Sequence, residues 1–244
     1  MATFKHHTFS WFAEHEFAHG DAGKRANHNM LLYHLVKSFS QPTVLECGTA
    51  LGQSTCLLLT AVEEQQGRLC SLDIQDCAHV AQSDRWQFIQ TDDRDAAYVL
   101  GLAPYLSEGI DVLFLDSVHS RAHVWAQLQA WYPLIKQGGY IAFDDIDPTT
   151  YRQGGRTPNQ QRCAEFGDMS EMIREFFYAN LDDLFLAYHF GISGRGIMKK
   201  LAPMGTQPKP PMVTAEWPNP PGITESARNL AAAIARYVRV NLLP

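Results

Sequence analysis

The chain has no C-x-x-C pair, no apolar run long enough to span a bilayer, no cluster of Lys or Arg and no internal repeat. Each absence excludes something. The five cysteines (Cys47, Cys56, Cys70, Cys77 and Cys163) are odd in number and lack zinc-ligand spacing, so they read as reduced thiols that pack rather than bridge. Cys47 and Cys56 are expected as small core residues. The lack of a basic cluster and the net charge of −6 argue against a phosphate-backbone partner, and no nucleic acid is expected. The opening MATFKHHTFSWF has no apolar core followed by a small-residue cleavage site, so no membrane association and a cytoplasmic location are expected. What is present is a 244-residue chain, 45% hydrophobic and 19% charged, which suits one globular domain with appended segments and a small-molecule substrate.

The most informative stretch is Val44 to Thr55, VLECGTALGQST. Val44 and Leu45 end a buried strand, Glu46 follows, and Gly48 and Gly52 permit positive φ and close backbone approach. Ser54 and Thr55 then open a helix whose free N–H groups can meet a carboxylate or phosphate. The early glycine pair of the dinucleotide fingerprint G-x-G-x-x-G is missing, which disfavours a nicotinamide-dependent dehydrogenase. The pattern is E-x-G-x-x-x-G, and it resembles motif I of class I S-adenosylmethionine (SAM)-dependent methyltransferases. A second strand, Arg68 to Leu72, ends in Asp73, placed to accept hydrogen bonds from ribose hydroxyls. A third, Trp86 to Gln90, ends in Thr91-Asp92-Asp93, where the same family places a polar residue against the adenine amino group. Asp92 is the better match, with Asp93 solvated beside it. The resemblance thus implies a cofactor site of Glu46, Gly48, Thr49, Gly52, Ser54, Asp73, Asp92 and Asp116.

Strands alternate with helical stretches from Thr43 to Phe143, the mark of a parallel, doubly wound sheet. Ala26 to Phe39 reads as a covering helix, and Val124, Leu128 and Trp131 give a later helix one apolar side. Lys136-Gln137-Gly138-Gly139 reads as a tight turn into a fifth strand, Tyr140 to Phe143. From Asp147 to Gly167 no apolar period is found, and this stretch is expected to be a lid loop, ended by a capping box at Asp168-Met169-Ser170-Glu171 that opens a helix to Leu181. Leu184 to His189 and Ile197 to Lys200 form a hairpin. A Rossmann-like α/β fold closed by such an antiparallel hairpin is how class I methyltransferases end. The expected organisation is an N-terminal segment (1–25), a SAM-binding domain (26–201), and a tail (202–244). In the tail, seven prolines between Pro203 and Pro221 precede a striped helix, Thr224 to Leu243. That helix needs an apolar partner, so a homo-oligomer is expected.

The fourth strand, Ile110 to Leu115, delivers Asp116 with His119 three residues on, and the fifth delivers Asp144 and Asp145 at the neighbouring end. Three converging carboxylates call for a cation, and Mg²⁺ or a similar oxygen-seeking ion suits them. FLDSVHS and YIAFDDID together resemble the metal-dependent O-methyltransferases, most closely the macrocin and mycinamicin sugar enzymes and the cephalosporin-hydroxylase-like group. That resemblance implies Asp116, Asp144 and Asp145 as metal ligands and His119 as the catalytic base. It also implies a hydroxyl acceptor, such as a vicinal diol or catechol. The sugar enzymes tend to have Glu-Asp where this chain has Asp144-Asp145.

Rival readings remain. His15-Glu16-Phe17-Ala18-His19 matches the zinc-peptidase H-E-x-x-H, but Gly20 to Gly23 breaks the helix at once and no third ligand follows. His6, His7 and His28 read as surface or packing residues and His123 as a helix-face residue. A metal-independent methyltransferase for another acceptor and a noncatalytic SAM-binding or interaction protein are the alternatives.

Overall fold

The computed structural model describes residues 2–149 and 159–212. Residues Met1–Pro211 form one compact unit. The striped helix expected over Thr224 to Leu243 lies outside the described residues, as does the middle of the expected lid.

Two antiparallel residue pairs join β1 (Thr3–Phe4) to β4 (Ala81–Gln82). The main sheet has seven strands in the order β5-β3-β2-β6-β7-β9-β8. Their ranges are β2 (Thr43–Cys47), β3 (Arg68–Asp73), β5 (Trp86–Gln90), β6 (Ile110–Leu115), β7 (Ile135–Asp144), β8 (Leu184–His189) and β9 (Arg195–Lys200). The first five pair in parallel; β9 runs antiparallel to both β7 and β8. This is the expected α/β fold with a terminal antiparallel hairpin. All six residues of β6 are buried, as a strand covered on both faces requires.

Helices α1 (Phe9–His15), α2 (Gly20–Lys37), α3 (Gln53–Glu64), α4 (Ala96–Leu102), α5 (Arg121–Trp131) and α6 (Gln160–Ala179) flank the sheet. On one face Leu45, Leu113, Trp131, Ile141, Met172 and Phe176 share a core; on the other, Leu32, Val36, Val44, Leu58 and Phe114 do. No helix among the described residues is long and apolar enough to cross a membrane. None of the five cysteines forms a disulfide.

Three local expectations are corrected. The helix expected from Ala26 begins at Gly20, since its first turn tolerates the polar Asp21 and Lys24 on an exposed face. The turn expected at Lys136 to Gly139 is carried inside β7, whose pairing with β6 shifts register between Ile110 and Val112. The proposed capping box at Asp168 lies within α6. Asn159 caps that helix instead, its side chain accepting from Arg162 N–H, and Phe166, Met169, Met172, Ile173 and Phe176 form the buried stripe. Asp168 faces Arg121 across 3.5 Å.

Candidate active site

The chain reverses its direction of winding between β2 and β6, and ligands of open α/β sheets bind at that point, beyond the carboxyl ends of the strands. Gly48 follows β2 and Asp116 follows β6. Gly48 has φ +98°, and a β-carbon there would lie 2.2 Å from the Asp116 carbonyl oxygen. The two strand ends therefore meet only because residue 48 lacks a side chain. Gly48 N–H donates to Leu72 O and Asp116 N–H to Cys47 O, both at 2.9 Å. Gly52, φ +78°, is the N-cap of α3.

Asp73 clamps this turn. Its Oδ2 accepts from the backbone N–H groups of Thr49 (2.9 Å) and Ala50 (3.0 Å), and its Oδ1 from that of Gln75 (2.9 Å). Leu51 and Ile74, which adjoin the two ends of the clamp in sequence, are 64% and 70% exposed. Apolar side chains held in solvent beside a strand-end carboxylate suit the flat, partly apolar body of a nucleoside. Neither was singled out from the sequence, although an apolar residue directly after a strand-end acid was the available signal.

Glu46 faces inward. It is fully buried and accepts from Ser54 Oγ (2.6 Å), Thr55 Oγ1 (2.8 Å) and Ser71 Oγ (2.6 Å), joining β2, α3 and β3. Glu46 and Ser54 thus hydrogen-bond to each other. Burial pushes the Glu46 carboxyl up to about 7, against the three hydroxyl hydrogen bonds that pull it down. The proton is retained more tightly in the folded chain, so this group's stabilisation is present in full below the ordinary glutamate range and is lost as pH rises through about 7. Glu46→Gln keeps an acceptor toward Thr55 and Ser71 and presents an amide donor to Ser54. Thermal melts at pH 5 and pH 8 are expected to show the parent losing on the order of 1 to 3 kcal/mol more than the variant. An equal loss in both would remove Glu46 as the cause.

At the third strand end the two acids part. Asp92 is half-buried and closes on Arg94, accepting from its Nε at 2.8 Å. Asp93, expected in solvent, is buried, with His123 Nε2 2.8 Å from its Oδ1 and Trp131 Nε1 donating to its carbonyl at 2.6 Å. His123 is thereby a partner within the site wall rather than a simple helix-face residue. The cause is α5, whose first turn folds back over the third strand end.

The acidic cluster divides in two. Asp116, His119 and Asp145 each offer one ligand atom, all within 4.8 Å of one another. His119 Nε2 lies 3.5 Å from Asp116 Oδ1 and 3.7 Å from Asp145 Oδ2, and this buried nitrogen has no closer hydrogen-bond partner among the described residues. Asp145 has φ +57°, a left-handed conformation uncommon for a residue with a β-carbon and frequent where function fixes the backbone. Burial, then the Asp144 and Asp145 charges, push the Asp116 carboxyl up to about 6 against the pull of His119. Burial lowers the His119 imidazole, but the Asp116 and Asp145 carboxylates outweigh it and hold it above the usual histidine range.

Asp144 belongs to the other half. Its Oδ2 accepts from Arg195 Nη2 at 2.8 Å, and its Oδ1 lies 3.3 Å from both Ser193 Oγ and His28 Nε2. Arg195 is 1% exposed, also donates to His28 O at 2.7 Å, and lies over the Phe114 ring. Burial alone would raise the Asp144 carboxyl; Arg195 and His28 reverse this and hold it well below the usual carboxylate range. His28 is 2% exposed and Arg195 lies 167 residues from it in sequence, so no local pattern links them.

The H-E-x-x-H match does not form a zinc-binding face. α1 ends at His15, Glu16 is its C-cap and bonds His34 at 2.6 Å, and His19 is the N-cap of the next helix.

Residues 45–146 match the family model described as a methyltransferase domain. No curated protein sequence matches the chain. Among solved structures, MycE, a methyltransferase from the mycinamycin biosynthetic pathway in complex with Mg and SAH (S-adenosylhomocysteine), is similar at a TM-score of 0.52 and 20% identity; the match covers 88% of this chain and 58% of MycE. A second MycE structure, with Mg, SAH and mycinamycin VI, has a TM-score of 0.51 and 18% identity, covering 91% and 57%. Cofactor-bound Rv0187 from MTB is similar at a TM-score of 0.51 and 18% identity, covering 79% and 87%. The chain spans less than three fifths of MycE's length, and at these identities the likeness is one of fold. Residues 45–146 thus resemble a methyltransferase domain, and the chain has the class I methyltransferase fold.

Proposed function

We propose that the chain transfers the methyl group of SAM to a hydroxyl of a small molecule, with a divalent cation held by Asp116 and Asp145 and the hydroxyl proton taken by His119. The observation that carries this reading is the convergence of those three side chains beside the Gly48 turn, with their ligand atoms within 4.8 Å of one another. A cation between the carboxylates fits the donor set of oxygens. The Mg and SAH held by MycE, and the mycinamycin VI in one of its complexes, support a metal and a natural-product type of acceptor.

Bound SAM supplies an electrophilic methyl group, and a bound cation supplies positive charge that makes an acceptor hydroxyl more acidic. The rest falls to the protein. Asp73 fixes the turn through Thr49 and Ala50, and with Gly48, Gly52 and Ser54 forms the corner we assign to the cofactor. Asp92, kept at the adenine position, is assigned with Arg94 as its partner. Asp116 and Asp145 orient the acceptor oxygens, so that a substrate with two adjacent hydroxyls presents one of them for attack. His119 accepts the released proton at Nε2. Asp144, with its oxygens engaged by Arg195, Ser193 and His28, anchors the end of β7 rather than binding the ion.

Manganese titration by calorimetry tests the assignment without relying on turnover. Asp116→Asn and Asp145→Asn are expected to weaken Mn²⁺ binding by about tenfold or more, whereas Asp144→Asn should leave it near the parent value while lowering the melting temperature. Chelation should stop turnover and leave most of the SAM affinity. A parent that binds no Mn²⁺ and is fully active in excess chelator would favour the metal-independent alternative. The position of Nε2 also supports a second reading, in which His119 is a third ligand. His119→Ala would then lose Mn²⁺ affinity, which it keeps if the imidazole acts only as base.

A further inference from the structure

A chain of polar contacts links the residue after β5 to the second residue after β6 by way of α5. Asp93 is buried, with His123 Nε2 2.8 Å from its Oδ1 and its carbonyl held by Trp131 Nε1. Ser117 directly follows Asp116, and its Oγ lies 3.0 Å from Gln127 Nε2 and 3.5 Å from His123 Nε2. Gln127 is fully buried and stands four residues after His123, so the two side chains leave one face of α5. Neither Ser117 nor Gln127 has a part in the function proposed above.

Counting donors and acceptors fixes the direction of each bond. The Asp93 carboxylate accepts, so His123 Nε2 carries a proton, donates it to Asp93, and has no lone pair left for Ser117. Gln127 presents its amide N–H to Ser117 Oγ and leaves its own Oε1 buried without a partner. The reverse orientation of that amide would bury two unpaired N–H groups in place of one carbonyl oxygen, and orphaned N–H groups are the rarer of the two. Ser117 Oγ therefore accepts from α5, and its hydroxyl hydrogen has no acceptor among the described residues. Ser117 is half-buried, so that hydrogen is left to donate outward.

Outward lies the cofactor corner, since a β-carbon on residue 48 would stand 3.0 Å from Ser117 N. Ile74, after β3, and Val118, after Ser117, are 70% and 48% exposed, so apolar surface adjoins this one donor. A flat base with apolar faces and acceptor nitrogens at its edge complements it. We propose that Ser117 donates its hydroxyl hydrogen to a ring nitrogen of the cofactor's adenine, and that Gln127, out of reach of any ligand, is the positioning residue that holds Ser117 in this role. The proposal rests on the cofactor corner assigned above. It adds which feature of the base is read, and from which helix the reading is set.

The test is calorimetric titration with SAH and with its 1-deaza, 3-deaza and 7-deaza analogues, each of which replaces one adenine ring nitrogen by C–H. The parent is expected to bind at least one of them about three- to tenfold more weakly than SAH, the worth of one hydrogen bond. Ser117→Ala should bind SAH and that analogue alike. Gln127→Met keeps the volume and removes the amide, so it should shrink the ratio, and Ser117→Ala added to it should then cost less than Ser117→Ala alone. Loosened packing would weaken SAH and the analogue equally and leave the ratio unchanged. A ratio that survives in Ser117→Ala overturns the proposal, and one that is lost there but intact in Gln127→Met removes the positioning role. Ser117→Ala, at a half-buried position, decides the first point even if Gln127→Met does not fold. A parent that binds no SAH removes the cofactor corner itself, whereas one that binds SAH and all three analogues equally removes only the role of Ser117.

Discussion

Gly48→Val is expected to abolish SAH binding and to lower stability together. The added β-carbon would sit 2.2 Å from Asp116 O and 2.6 Å from Asp116 C, both backbone atoms that cannot rotate away. Either the ends of β2 and β6 separate, breaking the hydrogen bonds Gly48 N–H to Leu72 O and Asp116 N–H to Cys47 O, or the turn that Asp73 clamps is displaced. Overpacking of this kind costs about 1 to 3 kcal/mol, and a branched residue forced to φ +98° adds about 1 to 3 more. At ~2 to 4 °C per kcal/mol for a chain of this size, the melting temperature should fall by roughly 5 to 20 °C. Asp73→Ala is the companion variant, since it removes the clamp and introduces no clash. It should bind SAH more weakly while melting closer to the parent. Calorimetry showing both variants binding as tightly as the parent would remove the cofactor from this corner.

The residues that announced themselves in the sequence are those whose role is local. Gly48 and Gly52 lie in one turn, Asp73 ends an apolar run, and Asp116 and His119 are three residues apart; spacing alone is enough to place them. The α/β fold was legible for the same reason, because apolar strands and striped helices alternate along the chain. The start of α6 was not, since Gly167 and the polar Gln160 to Arg162 hid a helix whose stripe begins only at Phe166. The division of the acids into two groups was hidden more deeply. Asp144 and Asp145 are adjacent, yet one faces Arg195 and the other His119, because the left-handed conformation at Asp145 changes the direction of the chain at the strand end. Arg195 is brought to Asp144 by the β7–β9 pairing, and His28 by a helix more than a hundred residues earlier in the chain. Such a contact is a property of the assembled sheet, and no window of sequence contains it.

His119→Ala should lower kcat by about two to four orders of magnitude while leaving SAM affinity and melting temperature near those of the parent. Asp116 ends β6, and three residues later the chain brings the imidazole back, so that Nε2 stands 3.5 Å from Asp116 and 3.7 Å from Asp145, where an acceptor oxygen oriented by those carboxylates would lie within reach. The ring is also held by packing: its centroid lies 6.0 Å from that of Phe166 on α6. The two carboxylate contacts lie beyond 3.4 Å on a partly exposed side chain, so truncation should cost little stability and register chiefly in the chemical step. Single-turnover methyl transfer measures that step apart from product release. His119→Gln fills the same volume and can hydrogen-bond but cannot carry a proton at neutral pH, so it should fail as Ala does if the imidazole is the base. A Gln variant with near-parental kcat would remove His119 from the chemistry, and an Ala variant that unfolds while Gln stays folded and active would make it a packing residue.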